Sequence, residues 1–181
     1  MSGLTILLLL IAGACLASVN RDESPLSLSI SIPSSPDGNH LLDDGRIPHF
    51  HVILLNRSDT AQKVWAPWSE TGFWMLRFEV TDADGNASKV TQKKMEKLSH
   101  KLPEVCVLQP RESVVFEVHY ANTNAWQNFP EPGPGSPLVS MRAVYEIPSN
   151  SATHLNQVWT GEVVSEEMKI TIRPWQPERD K

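Results

Sequence analysis

The feature that most constrains this chain is apolar and polar residues alternating with a period of two. Leu26, Leu28, Ile30 and Ile32 alternate with serines. Successive strand side chains point to opposite faces, so such a segment packs on one side and meets water on the other. Phe50, Val52 and Leu54 repeat the pattern. Trp74, Leu76, Phe78 and Val80 do so against Met75, Arg77 and Glu79. Val114, Phe116, Val118 and Tyr120 alternate with Glu117 and His119, and Val139, Met141, Ala143 and Tyr145 with Ser140, Arg142 and Glu146. Met168, Ile170 and Ile172 close the series. Turn signals fall between the runs: Pro36-Asp37-Gly38-Asn39, Asp82-Ala83-Asp84-Gly85-Asn86 and Gln109-Pro110-Arg111-Glu112. The spacing is too irregular for an internal repeat, and strands do not alternate with helices as a parallel sheet requires. The pattern predicts an all-β fold, an antiparallel β-sandwich over residues 26–173. One stretch departs from it. Met95, Leu98 and Leu102 are spaced like a helix face among Lys93, Lys94, Lys97 and Lys101, which predicts a short helical insertion over residues 93–102. Its lysines read as a solvated face or a local anion patch.

The N-terminus predicts where such a domain works. Residues 4–17 are apolar, a run of about 14 where a bilayer span needs about 20. Small residues Ala12, Gly13 and Ala14 mark a cleavage zone, and Asn20, Arg21, Asp22 and Glu23 follow. This is the build of a secretory signal over residues 1–17. Residues 18–25 then form a linker and residues 174–181 a C-terminal tail. Cys15 stands behind three small residues, so the segment resembles a bacterial lipobox, although Ala12 occupies the place where Leu is usual. Two outcomes stay open: a lipid anchor at Cys15, or cleavage after Ala14 or Ala17 that discards it. The expected location is accordingly periplasmic, lipid-anchored at the outer surface, or secreted.

At 181 residues the chain is long enough for one domain with a proper core. A net charge of −5 supplies no positive field for nucleic acid or anionic lipid, so membrane contact is expected only through Cys15. With two cysteines there is no disulfide framework, and Cys106 between Val105 and Val107 reads as a small strand residue. Sequons occur at Asn56 and Asn86 and matter only in a glycosylating host.

The order of elements resembles that of immunoglobulin-like domains of exported bacterial proteins. A strand ends in Leu55-Asn56-Arg57-Ser58 before Lys63-Val64-Trp65, and the strand around Trp74 leads into the Asp82–Gly85 hairpin. Leu108-Gln109-Pro110-Arg111-Glu112-Ser113 is similar to the turn that precedes a strand in many such domains, with Arg111 where a glycine is common. Arg142-Ala143-Val144-Tyr145 and Val158-Trp159-Thr160-Gly161-Glu162-Val163-Val164-Ser165 resemble their last two strands. The resemblance covers residues 26–172 and implies a fold rather than a function.

Several residue sets bear on function. His49 and His51 flank Phe50 and share a strand face, so both imidazoles can reach one metal if His40, Asp43, Asp44 or His119 supplies a third ligand. Paired histidines on a solvent face equally need no metal. The Asp82–Asn86 segment has carboxylates two apart, as a calcium loop does, but Gly85 fits a hairpin turn. Six tryptophans are present. Trp74 is in phase with its strand's apolar face, whereas Trp65, Trp68 and Trp126 are not and are expected on the surface. There they would stack sugars or grip a partner. Residues 121–137 form a long Pro/Gly-rich loop carrying Trp126 and Phe129, the main expected contact. Arg173-Pro174-Trp175 matches one motif of chagasin-like protease inhibitors, but their two other loop motifs are missing from the sequence. There is no Gly-x-Ser-x-Gly elbow, phosphate loop or paired-cysteine cluster. These observations predict an exported, non-enzymatic binding or structural module, with no catalytic residues and no cofactor, contacting a protein or extracellular polymer through loops. The alternatives are a binder of carbohydrate or metal and a protease inhibitor. Oligomeric state is left open.

Overall fold

The alternating segments become strands in the computed structural model, which describes residues 24–34, 40–43, 49–93, 103–120, 125–130 and 138–173. In chain order the elements are β1 (Leu26–Ser31), β2 (His40–Asp43), β3 (His49–Asn56), β4 (Gln62–Trp65), α1 (Glu70–Trp74), β5 (Leu76–Thr81), β6 (Ala87–Gln92), β7 (Val105–Leu108), β8 (Ser113–His119), β9 (Trp126–Gln127), β10 (Leu138–Ile147), α2 (Ser151–Asn156), β11 (Gly161–Val164) and β12 (Met168–Arg173). The expected all-β class is correct. The anticipated helical insertion lies almost entirely outside the described residues. Two short helices stand elsewhere.

The described strands form three sheets. One is three-stranded in the order β1-β3-β8. A second is seven-stranded, β2-β12-β10-β5-β6-β9, with β11 also on β10, and it curls into a half-barrel. A two-stranded ribbon joins β4 to β7. Pairing is antiparallel with one correction to the sequence expectation: β2 runs parallel to β12, from Ile170 opposite His40 to Arg173 opposite Asp43. β11 and β12 follow one edge of β10 with a break between them. Val144 faces Val164 and Met141 faces Met168, so three residues oppose two and a bulge results. Ser165 closes the gap. Its Oγ accepts from the Ala143 N–H at 2.9 Å, and its own N–H donates to the Ala143 carbonyl at 2.9 Å.

The inward faces of the two larger sheets meet in one core. Phe50 of β3 lies edge-on to Phe78 of β5 with ring centroids 5.5 Å apart, and Phe116 of β8 meets Tyr145 of β10 at 5.5 Å. All four rings are buried. Burial of each such side chain contributes about 1.5–3 kcal/mol, and Cys106, the cysteine among the described residues, is a free thiol, so packing supplies the stability of the described fold.

At the end of β3 a buried polar side chain is internally satisfied. Asn56 is 0% exposed. Its Nδ2 donates to the carbonyls of Thr60 at 2.8 Å and Leu108 at 2.9 Å, and its Oδ1 accepts from the Ser58 N–H at 3.0 Å. The first sequon is therefore a buried clamp between β3 and β7, not an accessible acceptor. Arg111 adopts φ 69°, with the Glu112 N–H bonded to the Gln109 carbonyl at 3.0 Å. Proline before a positive-φ residue is the arrangement of a type II turn, which explains why glycine suits the Arg111 position.

Candidate functional site

Two regions collect the residues that the sequence singles out. The first is the outer face of the three-stranded sheet. β3 presents Phe50, Val52 and Leu54 to the core, so His49, His51, Ile53 and Leu55 point the other way. β8 does the same with Val115, Glu117 and His119 opposite the buried Phe116 and Val118. Register then decides who meets whom: His49 pairs with His119, and His51 with Glu117. The four side chains form a two-by-two grid at one end of the sheet. The His49 ring centroid lies 5.3 Å from that of His119 and 6.1 Å from that of His51. His119 Nε2 is 2.8 Å from Glu117 Oε1. One ligand atom each of His49, Glu117 and His119 falls within 4.8 Å of the others, and all three residues are exposed. Of the third ligands expected for the His49/His51 pair, His119 is thus brought in. His40 and Asp43 lie on β2 in the other sheet, and Asp44 lies outside the described residues. Glu117 escaped the sequence reading. Its signal was the Glu-x-His spacing on β8, which mirrors His-x-His on β3.

The second region surrounds the β4–β7 ribbon. Here the expected surface tryptophans divide. Trp65 is 2% exposed and Trp126 is 3% exposed, so both belong to the core and correct the surface assignment. Trp65 ends β4, and the Tyr145 hydroxyl donates to its carbonyl at 3.4 Å. Trp126 packs on Phe78 with centroids 5.3 Å apart, held by the pairing of β9 with β6. Phe129 is half-buried against Phe50, Phe78 and Tyr120. The described middle of the 121–137 segment is therefore anchored inward; residues 121–124 and 131–137 lie outside the described residues.

Trp68 is 69% exposed. Its indole N–H donates to Glu104 Oε2 at 2.8 Å. Both neighbours are held in place. The Glu104 carbonyl accepts from the Ala66 N–H at 2.8 Å, and Ser69 caps α1 by accepting from the Gly72 N–H at 3.1 Å. Gly72 is required there, since a Cβ would stand 2.1 Å from the Ala66 carbonyl oxygen. Beside Trp68 opens a shallow cleft of about 270 Å³, lined in part by Pro67, Phe73, Trp74 and Gln92.

The other sequence candidates resolve locally. Asp82 Oδ1 accepts from the N–H groups of Asp84 at 2.9 Å and Asn86 at 2.8 Å, while Oδ2 accepts from Asn86 Nδ2 at 2.9 Å. Those bonds, from the Asn86 side chain first, hold its carboxyl below the ordinary carboxylate range. Gly85 takes φ 85° in the turn. The carboxylate thus serves a hairpin instead of a calcium loop. Cys106 is a half-buried strand residue, and burial, with the Glu112 charge, pushes its thiol pKa up. A larger groove of about 780 Å³ runs between β1 and β11–β12, past Ser27, His40, Val163 and Lys169. Residues 1–17 with Cys15, and Pro174 and Trp175, lie outside the described residues. No described helix is long and apolar enough to cross a membrane.

Comparison with protein-family models and with curated proteins finds no match to this chain.

Proposed function

We propose that the chain is an exported, non-enzymatic binding module on an immunoglobulin-like β-sandwich, contacting a protein or extracellular polymer through Trp68. The strand order supports the architecture. β1, β3 and β8 correspond to strands A, B and E of that fold. β5, β10 and the broken β11–β12 strand correspond to C, F and G, with β6 beside C. The β4–β7 ribbon is an addition within this scheme, and the curled second sheet a departure from it. The signal-like residues 1–17 support export, with Cys15 either a lipid anchor or discarded.

The observation that carries the binding role is the 69% exposure of Trp68. Its bond to Glu104 orients the indole, so little side-chain freedom is lost when a partner covers it. Large oriented aromatics of this kind dominate binding energy at protein interfaces. With Trp126 and Phe129 turned inward, the contact moves from the 121–137 loop to the ribbon end.

The test is affinity capture by the immobilised chain, with Trp68→Ala in parallel. A partner retained by the wild type and lost by the variant, at unchanged melting temperature, supports the reading. Equal retention by both would remove Trp68 from the contact. Mass measurement of the mature N-terminus checks the export half: an unmodified start at Ser18 rules out the anchor.

A further inference from the structure

We propose that His49, Glu117 and His119 form a surface site for a divalent transition metal ion of the zinc, copper or nickel class, with His51 next to it on the same sheet face. The site belongs to the outer face of the β1-β3-β8 sheet and is separate from the Trp68 contact.

The argument begins with sheet geometry. Residues directly opposite on antiparallel strands have Cβ atoms about 4.5–5.5 Å apart, close enough for two imidazoles to address one ion. His49 and His119 stand in that relation, and so do His51 and Glu117. Zinc binds histidine nitrogen at about 2.0–2.1 Å, which places tetrahedral donor atoms about 3.4 Å apart. The donor atoms of His49, Glu117 and His119 already lie within 4.8 Å of one another. Closing the remaining gap takes small χ rotations of exposed side chains, which no packing opposes.

Donor chemistry selects the ion. Two or three imidazoles with one carboxylate suit zinc, copper and nickel, whereas calcium and magnesium require oxygen ligands. The Glu117 carboxylate offsets part of the ion's charge, and its 2.8 Å approach to His119 Nε2 places the two groups side by side. The surroundings suit a cation as well: register neighbours of the grid are Ser31, Ile53 and Val115, which bring no positive charge. Three protein ligands leave a coordination position that water fills.

The full chain is titrated calorimetrically with zinc chloride, and with cobalt(II) chloride followed by visible absorption. The expected result is one ion per chain and a cobalt spectrum of tetrahedral type. His49→Ala and His119→Ala should each weaken binding by about tenfold or more, and Glu117→Gln by a smaller factor. His154→Ala, on α2, and Trp68→Ala should leave affinity unchanged, so this outcome is independent of the partner-binding test. Cobalt-induced broadening of the His49 and His119 ring resonances in the unmodified chain supplies a readout that needs no variant. No zinc uptake at about 100 μM, or the same affinity in the His49→Ala/His119→Ala pair as in the wild type, would overturn the site.

Discussion

The outer faces of the two larger sheets solve the same problem differently. On the seven-stranded sheet, charges close upon one another. Glu146 stands directly opposite Glu162 in the register, and Arg77 from β5 donates to both, at 2.7 Å in the case of Glu162. Burial opposes the Arg77 charge, but the bonds to Glu162 and Glu146 outweigh it and raise the guanidinium pKa. Arg142 donates to Glu79 across the β10–β5 pair at 2.6 Å. Every charge in that ladder has a built-in counterion, so the face is structural. The three-stranded sheet instead gathers His49, His51, Glu117 and His119 on an exposed face, where the one close polar contact given among them is His119 to Glu117. Charge satisfied within the fold has little left to offer a ligand; donor groups converging on an exposed face have more.

The largest effect that separates the faces is zinc linkage. At about 100-fold excess over its dissociation constant, zinc should stabilise the wild type by about 2.7 kcal/mol in urea unfolding. The His49→Ala/His119→Ala pair should gain nothing, and an equal gain would erase the distinction between the faces. Next comes Arg77→Ala, expected to cost about 2 kcal/mol, because it removes a partly buried stem and leaves two glutamates opposed. A loss below about 0.5 kcal/mol would show that this ladder is ornamental. Arg142→Ala, removing one exposed pair, should cost roughly 0.2–1 kcal/mol. His51→Ala without metal should change stability by no more than about 0.5 kcal/mol, as befits a face not used for folding.

The smallest effect tests whether internal satisfaction extends to the β5–β6 turn of the charged sheet. Asp82 has a depressed folded pKa, so its contribution is present above the unfolded value of about 3.9 and is lost as pH falls through the folded value. Acid titration of Asp82→Asn should therefore show a shallower loss of stability below about pH 4 than the wild type. Identical acid profiles would show that the turn does not draw on that charge.

The long alternating strands were legible because their period is local. β1, β3, β5 and β10 bury the inward residues that their pattern predicts within the strand, and β8 and β12 do so except at their first apolar positions, Val114 and Met168, which are half-buried. The short elements were not. β4 and β9 hold four and two residues, too few to show a period, so Trp65 and Trp126 carried no sign of burial. Trp74, in phase with β5 on paper, ends α1 and is half-buried. α2 did carry a signal, the capping box of Asn150 and Thr153, but its six residues show no helical face. The Asn56 sequon misled differently. A motif records side-chain chemistry, whereas the burial of Asn56 depends on Leu108 and Glu112, remote in the chain.

By itself the sequence determined which side chains share a face. Alternation along a strand is covalent geometry, so His49 and His51 had to point together, as did Glu117 and His119. It did not determine that the two pairs meet. That required β3 and β8 to be neighbours and to stop at one register among several. Sliding one strand by two residues keeps every apolar residue inward yet takes His119 away from His49. Only the packing of Phe50, Phe116 and their partners across the core selects that register, and with it the donor grid on the other side of the sheet.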